Sequence, residues 1–283
     1  MRRTRRNLLN IGPGGAGPIG LTKRNEAMRR KSFWLLAILC LALPTQAAGA
    51  RYAYKDLGTL GGQLSEAYGI NDAGVVVGAA NTQSGETHAF LWTLGSPMRD
   101  LGSLSPSTGG NSWANAINEF VVGTSYAPIG LYGTDHAFRW SATRGMEDLG
   151  ALEYPDNASF ANGVNKLGAV VGYSYVSGLY TTRSFLWQKR IMTNLGTFGG
   201  TASSARGIND KGQIAGDFYD SAAYKTRGFL REISGAWQDL ENLGGITTMP
   251  MGLNNNGHVV GWSYDNNNNN RAFLWTPSPN NSD

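Results

Sequence analysis

Cysteine is almost missing from this chain of 283 residues: the one present, Cys40, lies in the first fifty. No disulfide framework can be built from it, so the stability of the rest must come from packing, for which the length is ample. Histidine is nearly as scarce, with three copies and no His-x-x-x-His pair, and neither a Gly-x-Ser-x-Gly nor a cysteine nucleophile occurs after residue 50. The usual signatures of zinc binding and nucleophilic catalysis are therefore missing. Long apolar runs are missing too. The longest, 33–43, has about 11 residues where a membrane span needs about 20, so no membrane span is expected.

That short run does fit a secretory signal peptide. Met28-Arg29-Arg30-Lys31 precede it, and Pro44 and Ala47-Ala48-Gly49-Ala50 come after it, giving the charged, apolar and small-residue order that an export peptidase reads. Because a signal peptide begins at the N-terminus, Met28 is read as the start and residues 1–27, basic and Gly-rich, as an upstream extension. Residues 28–50 are then the signal peptide, cleaved near Ala50, and 51–283 the exported chain, secreted or periplasmic. Residues 1–50 hold nine of the 24 Lys and Arg but one of the 20 Asp and Glu, so residues 51–283 carry 15 basic and 19 acidic side chains, a net charge of −4. A basic, nucleic-acid-binding surface is not supported.

What the sequence has in abundance is repetition. Gly-Ile-Asn at 69–71 and Val-Val-Gly at 76–78 return at 163–172, 207–216 and 252–261, and in shorter form at 116–123. Before each copy stands a marker: Asp56-Leu57-Gly58, Asp100-Leu101-Gly102, Asp148-Leu149-Gly150, Asn194-Leu195-Gly196 and Asp239-Leu240-Glu241, spaced 44, 48, 46 and 45 residues apart. Five tandem units of about 45 residues are the organising feature.

Each unit carries four strand signals separated by turn signals. The first strand (65–71, 112–118, 159–165, 203–209, 248–254) shows Ser, Ala and Gly on one face, as crowding by neighbours requires. Next comes Asn-x-x-Gly, in which Asn bonds its own backbone and Gly takes positive φ. Lys166, Leu167 and Lys211 replace the oxygens that a calcium loop would need, so no metal is expected. The second strand is β-branched. In the third, His88-Ala89-Phe90-Leu91-Trp92 and its copies put Phe and Trp on one face. His88 and His136 stand where Arg183, Arg227 and Arg271 stand elsewhere, which reads as a charged residue at a strand edge. The fourth strand ends in the marker, whose carboxylate is expected to accept backbone hydrogen bonds at a turn.

Four strands per unit predict an all-β chain, a β-propeller of five four-stranded blades whose ring is closed by a strand at 51–58, with an open β-solenoid as the other arrangement weighed. These residues, Asp-Leu-Gly-Thr-Leu-Gly-Gly at 56–62, Gly-Ile-Asn at 69–71, Val-Val-Gly at 76–78 and His-Ala-Phe-Leu-Trp at 88–92, resemble the HAF-repeat family of extracellular bacterial proteins over 56–275. The resemblance implies an exported repeat protein and brings no catalytic residues with it. Departures fall at Asn118-Glu119-Phe120, Arg231, Glu241 and Glu153-Tyr154-Pro155-Asp156, putting the regularity of blades two and four in question.

The leading functional reading is a non-catalytic, exported binding or surface-interaction module, expected to be a monomer without cofactor. A carbohydrate-active hydrolase or lyase and a purely structural ring are the alternatives. An enzyme would need acids unique to one unit (Glu66, Glu153, Asp156, Asp217 and Asp220 qualify), and no spacing brings two of them together. A ligand, a glycan or a peptide or protein, is expected on the face of the second-to-third loops (79–87, 124–135, 173–182, 217–226, 262–270). Tyr126, Tyr175, Tyr219 and Tyr264 recur at one offset and read as framework. The candidate contacts vary between units: Tyr68, Trp113, Tyr132, Phe160, Tyr173, Arg206 and Trp262.

Overall fold

The computed structural model describes residues 53–107, 109–130, 133–176 and 181–277. The extension, the signal peptide and candidate contact Tyr132 lie outside these. Asp56–Asp283 is a single compact unit, and all its described regular structure is β-strand.

Each repeat folds as one antiparallel sheet in sequence order. The first holds β1 (Gly61–Ile70), β2 (Val76–Thr82), β3 (Thr87–Trp92) and β4 (Arg99–Asp100); the second β5 (Ser112–Ile117), β6 (Val121–Ala127), β7 (Thr134–Ser141) and β8 (Gly145–Asp148); the third β9 (Ser159–Val164), β10 (Val170–Val176), β11 (Thr181–Gln188) and β12 (Ile191–Asn194). The fourth holds β13 (Ala202–Ile208), β14 (Ile214–Asp220), β15 (Lys225–Arg231) and β16 (Trp237–Asp239), and the fifth has three strands, β17 (Gly244–Leu253), β18 (Val259–Asp265) and β19 (Asn270–Trp275). One parallel pair, Thr226 with Thr247, ties the fourth sheet to the fifth. Sheets two and four pair their strands in the same sequence order as sheets one and three despite their sequence departures.

The turn chemistry is as the sequence dictates. Asn71 Oδ1 accepts the N–H groups of Ala73 and Val75 (3.1 and 3.0 Å), Gly74 N–H closes on Asn71 O at 2.9 Å, and Gly74 sits at φ +74°. The asparagine oxygen is thereby committed to the backbone of its own turn. Each marker carboxylate or amide likewise accepts the N–H two residues on, as in Asp100 to Gly102 at 2.7 Å.

The core lies between sheets rather than within them. Val77, Ala89 and Leu101 of one repeat pack with Ala114, Val121, Phe138 and Trp140 of the next, and Val122, Ala137 and Leu149 pack with Ala161, Val170, Phe185 and Trp187. A serine fastens each of the first three seams, and Thr248, donating to Glu241 O, stands in its place at the fourth. Ser112 Oγ accepts Ala89 N–H (2.8 Å) and donates to Gly102 O (2.6 Å); Ser159 does the same for Ala137 and Gly150, and Ser203 for Ser184 and Gly196.

Three expectations are corrected. Residues 53–59 form no strand, and β19 pairs only with β18, so no strand at 51–58 closes the ring among the described residues. The supposed long loops are mostly strand, because the ladders of β2–β3 and its counterparts run on to Asn81–Thr87, Ala127–Thr134 and Val176–Thr181; Tyr173 and Trp262 are therefore strand residues. His136 is no solvated edge residue but is buried, 1% exposed.

Candidate functional site

Where the first strands of neighbouring sheets meet, their second and fourth positions carry the side chains that differ most between repeats: Glu66 and Tyr68, Trp113 and Asn115, Phe160 and Asn162, Ser204 and Arg206, Met249 and Met251. The six candidates among the described residues fall into three places.

Tyr68 and Trp113 come together at the seam of sheets one and two. They line a depression of about 160 Å³ with Glu66, Asn81 and Thr87. Tyr68 donates its hydroxyl hydrogen to Glu66, and partial burial with that carboxylate beside it pushes the phenol pKa up to about 12. Asn81 Nδ2 holds Thr87 Oγ1 at 3.0 Å. Trp113 also borders a second, wide-mouthed depression of about 530 Å³ lined by Glu86, Asn111, Tyr126 and Asp135. A half-buried indole thus stands between two polar hollows. Burial pushes the Asp135 carboxyl above the usual range, with His136 opposing; Ser84, the Glu86 backbone and Thr82 hold Glu86 below it.

Phe160, Tyr173 and Arg206 meet at the seam of sheets three and four. Phe160 and Tyr173 are cross-strand partners whose rings stack at 4.9 Å, and Tyr175 meets both edge-on at 6.2 and 6.3 Å. Beside them Arg206 Nε donates to Asp217 Oδ1 at 2.6 Å. Burial raises the Asp217 pKa although Arg206 works against it, and raises that of Tyr173 as well. Trp262 stands apart in sheet five, edge-on to Tyr264 at 5.4 Å.

The sequence reading missed Asn81, Thr87, Asn111 and Asp135, which are ordinary polar residues until the strands place them around Trp113. It also missed a cleft of about 430 Å³ on the opposite, short-turn side, lined by Leu167, Lys189, Lys211, Arg231 and Ile233 among others. Tyr175, read as framework, does pack on its neighbours. Glu66 and Asp217 were singled out as non-repeating acids, and each has a local partner, Tyr68 and Arg206. The two lie in different sheets, so neither stands as half of a carboxylate pair with the other.

No family model matches the chain and no curated protein matches it. Among solved structures, TolB from Acinetobacter baumannii is similar, at 15% identity and a TM-score of 0.48, over 75% of this chain and 51% of the TolB chain. The chain thus spans about half the length of that protein.

Proposed function

We propose that this chain is an exported, non-catalytic binding module of the HAF-repeat kind, a propeller-type scaffold that presents the hollows on either side of Trp113 to a glycan. The observation that carries this reading is the half-buried Trp113 indole between two depressions rimmed by Asn81, Thr87, Asn111, Glu66 and Glu86. A sugar offers an apolar ring face and a fringe of hydroxyls, which an aromatic platform with amides, hydroxyls and carboxylates around it complements. The carboxylates are engaged locally, Glu66 by Tyr68 and Glu86 by Ser84 and Thr82, which suits accepting hydroxyl hydrogens more than proton transfer. Tyr68, Trp113 and their polar neighbours form the first contact set, and Phe160, Tyr173 and Arg206 a second aromatic platform two seams along. Export is inferred from the signal peptide read at 28–50.

A glycan and peptide array probed with the protein tests the reading. A glycan class should be retained and then lost with Trp113→Ala and weakened with Asn81→Ala. Retention of peptides alone, or glycan retention indifferent to both changes, would sink it.

A further inference from the structure

The two ends of the sheet array are complementary halves of the seam that holds its interior together. At the last sheet, Val260 is 47% exposed, whereas its counterparts Val77, Val122, Val171 and Ala215, each covered by a following sheet, are at most 2% exposed. Ala272 is exposed where Ala89 and Ala137 are fully buried, and Leu274 is 64% exposed. At the first sheet the situation is mirrored. Ser65 and Ala67 are exposed where Ser112, Ser159, Ala114 and Ala161 are completely covered, and Ile70 is 69% exposed.

Each bare end also carries half of a hydrogen-bond pattern that the interior completes. In sheets one to four the marker leucine N–H bonds the third strand: Leu101 to Ala89 O, Leu149 to Ala137 O, Leu195 to Ser184 O and Leu240 to Gly228 O, at 2.9–3.0 Å. The N-terminal marker is already folded for that role. Gly58 N–H closes on Asp56 Oδ1 at 2.9 Å and Ser65 Oγ donates to Gly58 O at 2.7 Å, as at every interior seam with a serine, yet no third strand is beside it. β19 offers the missing strand, with Ala272 in the position of Ala89. Arg271 completes the match. Its counterpart Arg227 bridges Asp220 and the marker Asp239, and His88 and His136 pair with the markers Asp100 and Asp148. Arg271 holds the equivalent of Asp220, Asp265 at 3.1 Å, but no marker carboxylate; among the described residues, Asp56 is the marker carboxylate without a cation.

The geometry points to head-to-tail association of this chain with a second copy, in which the Asp56-Leu57-Gly58 marker and β1 of one molecule dock on β18 and β19 of the other as a fifth seam, beyond the four inside the molecule. A second copy is the occupant because both faces are bare at once in the same molecule, and because the marker rests on its own first sheet, where Leu57 packs against the cluster of Phe90 and Trp92. Docking another molecule needs no part of the chain to move. The contact is heterologous, so it propagates into filaments or closes a ring of copies. This departs from the monomer expected from sequence and does not depend on what the Trp113 surface binds.

The full chain with Cys40→Ser and the pair Lys55→Cys and Leu274→Cys tests it, since these two positions correspond to the cross-strand partners Arg99 and Leu91. Oxidation should give disulfide-linked dimers and a ladder on a non-reducing gel. In the unmodified chain, mass measured by sedimentation should rise with concentration. Val260→Lys should abolish that rise without lowering the melting temperature, and Arg271→Asp should weaken it until Asp56→Arg restores it. A cross-linked monomer would show that the chain closes on itself. Mass independent of concentration, or association that survives Val260→Lys, would equally overturn the proposal.

Discussion

His136 faces a hydrogen-bond acceptor with each ring nitrogen, an arrangement that favours its doubly protonated form. Nδ1 faces the Asp148 carboxylate at 2.8 Å and Nε2 the Pro155 carbonyl at 2.7 Å, and neither acceptor has a hydrogen to give. Burial works against the charge, but the hydrogen bond and charge of Asp148, helped by Pro155, outweigh it and raise the pKa above the ordinary value. A folded-state pKa above the unfolded value of about 6.5 stabilises fully below that pH and fades as pH rises through the folded value. Chemical denaturation should therefore show stability falling above about pH 6.5 in the wild type. His136→Gln should cost about 2 kcal/mol at acid pH and flatten the profile; an unchanged slope in that variant would assign the titration elsewhere. The sequence showed a histidine exchanging with arginine and read a surface charge. It could not show that the irregular Glu153-Tyr154-Pro155-Asp156 crossing returns to supply the second acceptor, because the two partners are 19 residues apart.

Within the sheets, the glycine that ends each Val-Val-Gly segment is fixed by the strand beside it. The first strand bulges after its alanine, and a Cβ on Gly78, Gly123 or Gly172 would lie 1.8–1.9 Å from the carbonyl oxygen of Glu66, Trp113 or Phe160. Gly172→Ala should thus cost at least the ~1–3 kcal/mol typical of overpacking, read as a lowered melting temperature; a neutral result would mean that the bulge is soft. Ser159→Ala tests the seam. It strips the buried Ala137 N–H of its acceptor and should cost about 1–3 kcal/mol, whereas equal stability would show the seam to be held by apolar contact alone. Strand order, turn type and the buried Phe–Trp stripe were legible because they depend on residues within one repeat. The loop lengths were misjudged because Ala79, Ala80 and Tyr173 look like loop residues until cross-strand pairing extends the ladder through them.

At the scale of the whole molecule, five sheets stacked by one recurring seam hold variable side chains along one surface. Those side chains were legible as positions that break the repeat. Which of them meet was not legible, since partners such as Tyr68 and Trp113 lie on different sheets and are joined only by stacking. Trp113 is central to the proposed binding, and its most direct test is titration of a glycan retained on the array against the wild-type protein, Trp113→Ala and Leu167→Ala, the last altering the cleft on the opposite side. Truncating a central aromatic costs about 2 kcal/mol or more, roughly thirtyfold in Kd, so Trp113→Ala should weaken binding by that factor while Leu167→Ala leaves it unchanged. Binding that survives Trp113→Ala and is lost with Leu167→Ala would place the site on the short-turn face and contradict the proposed function.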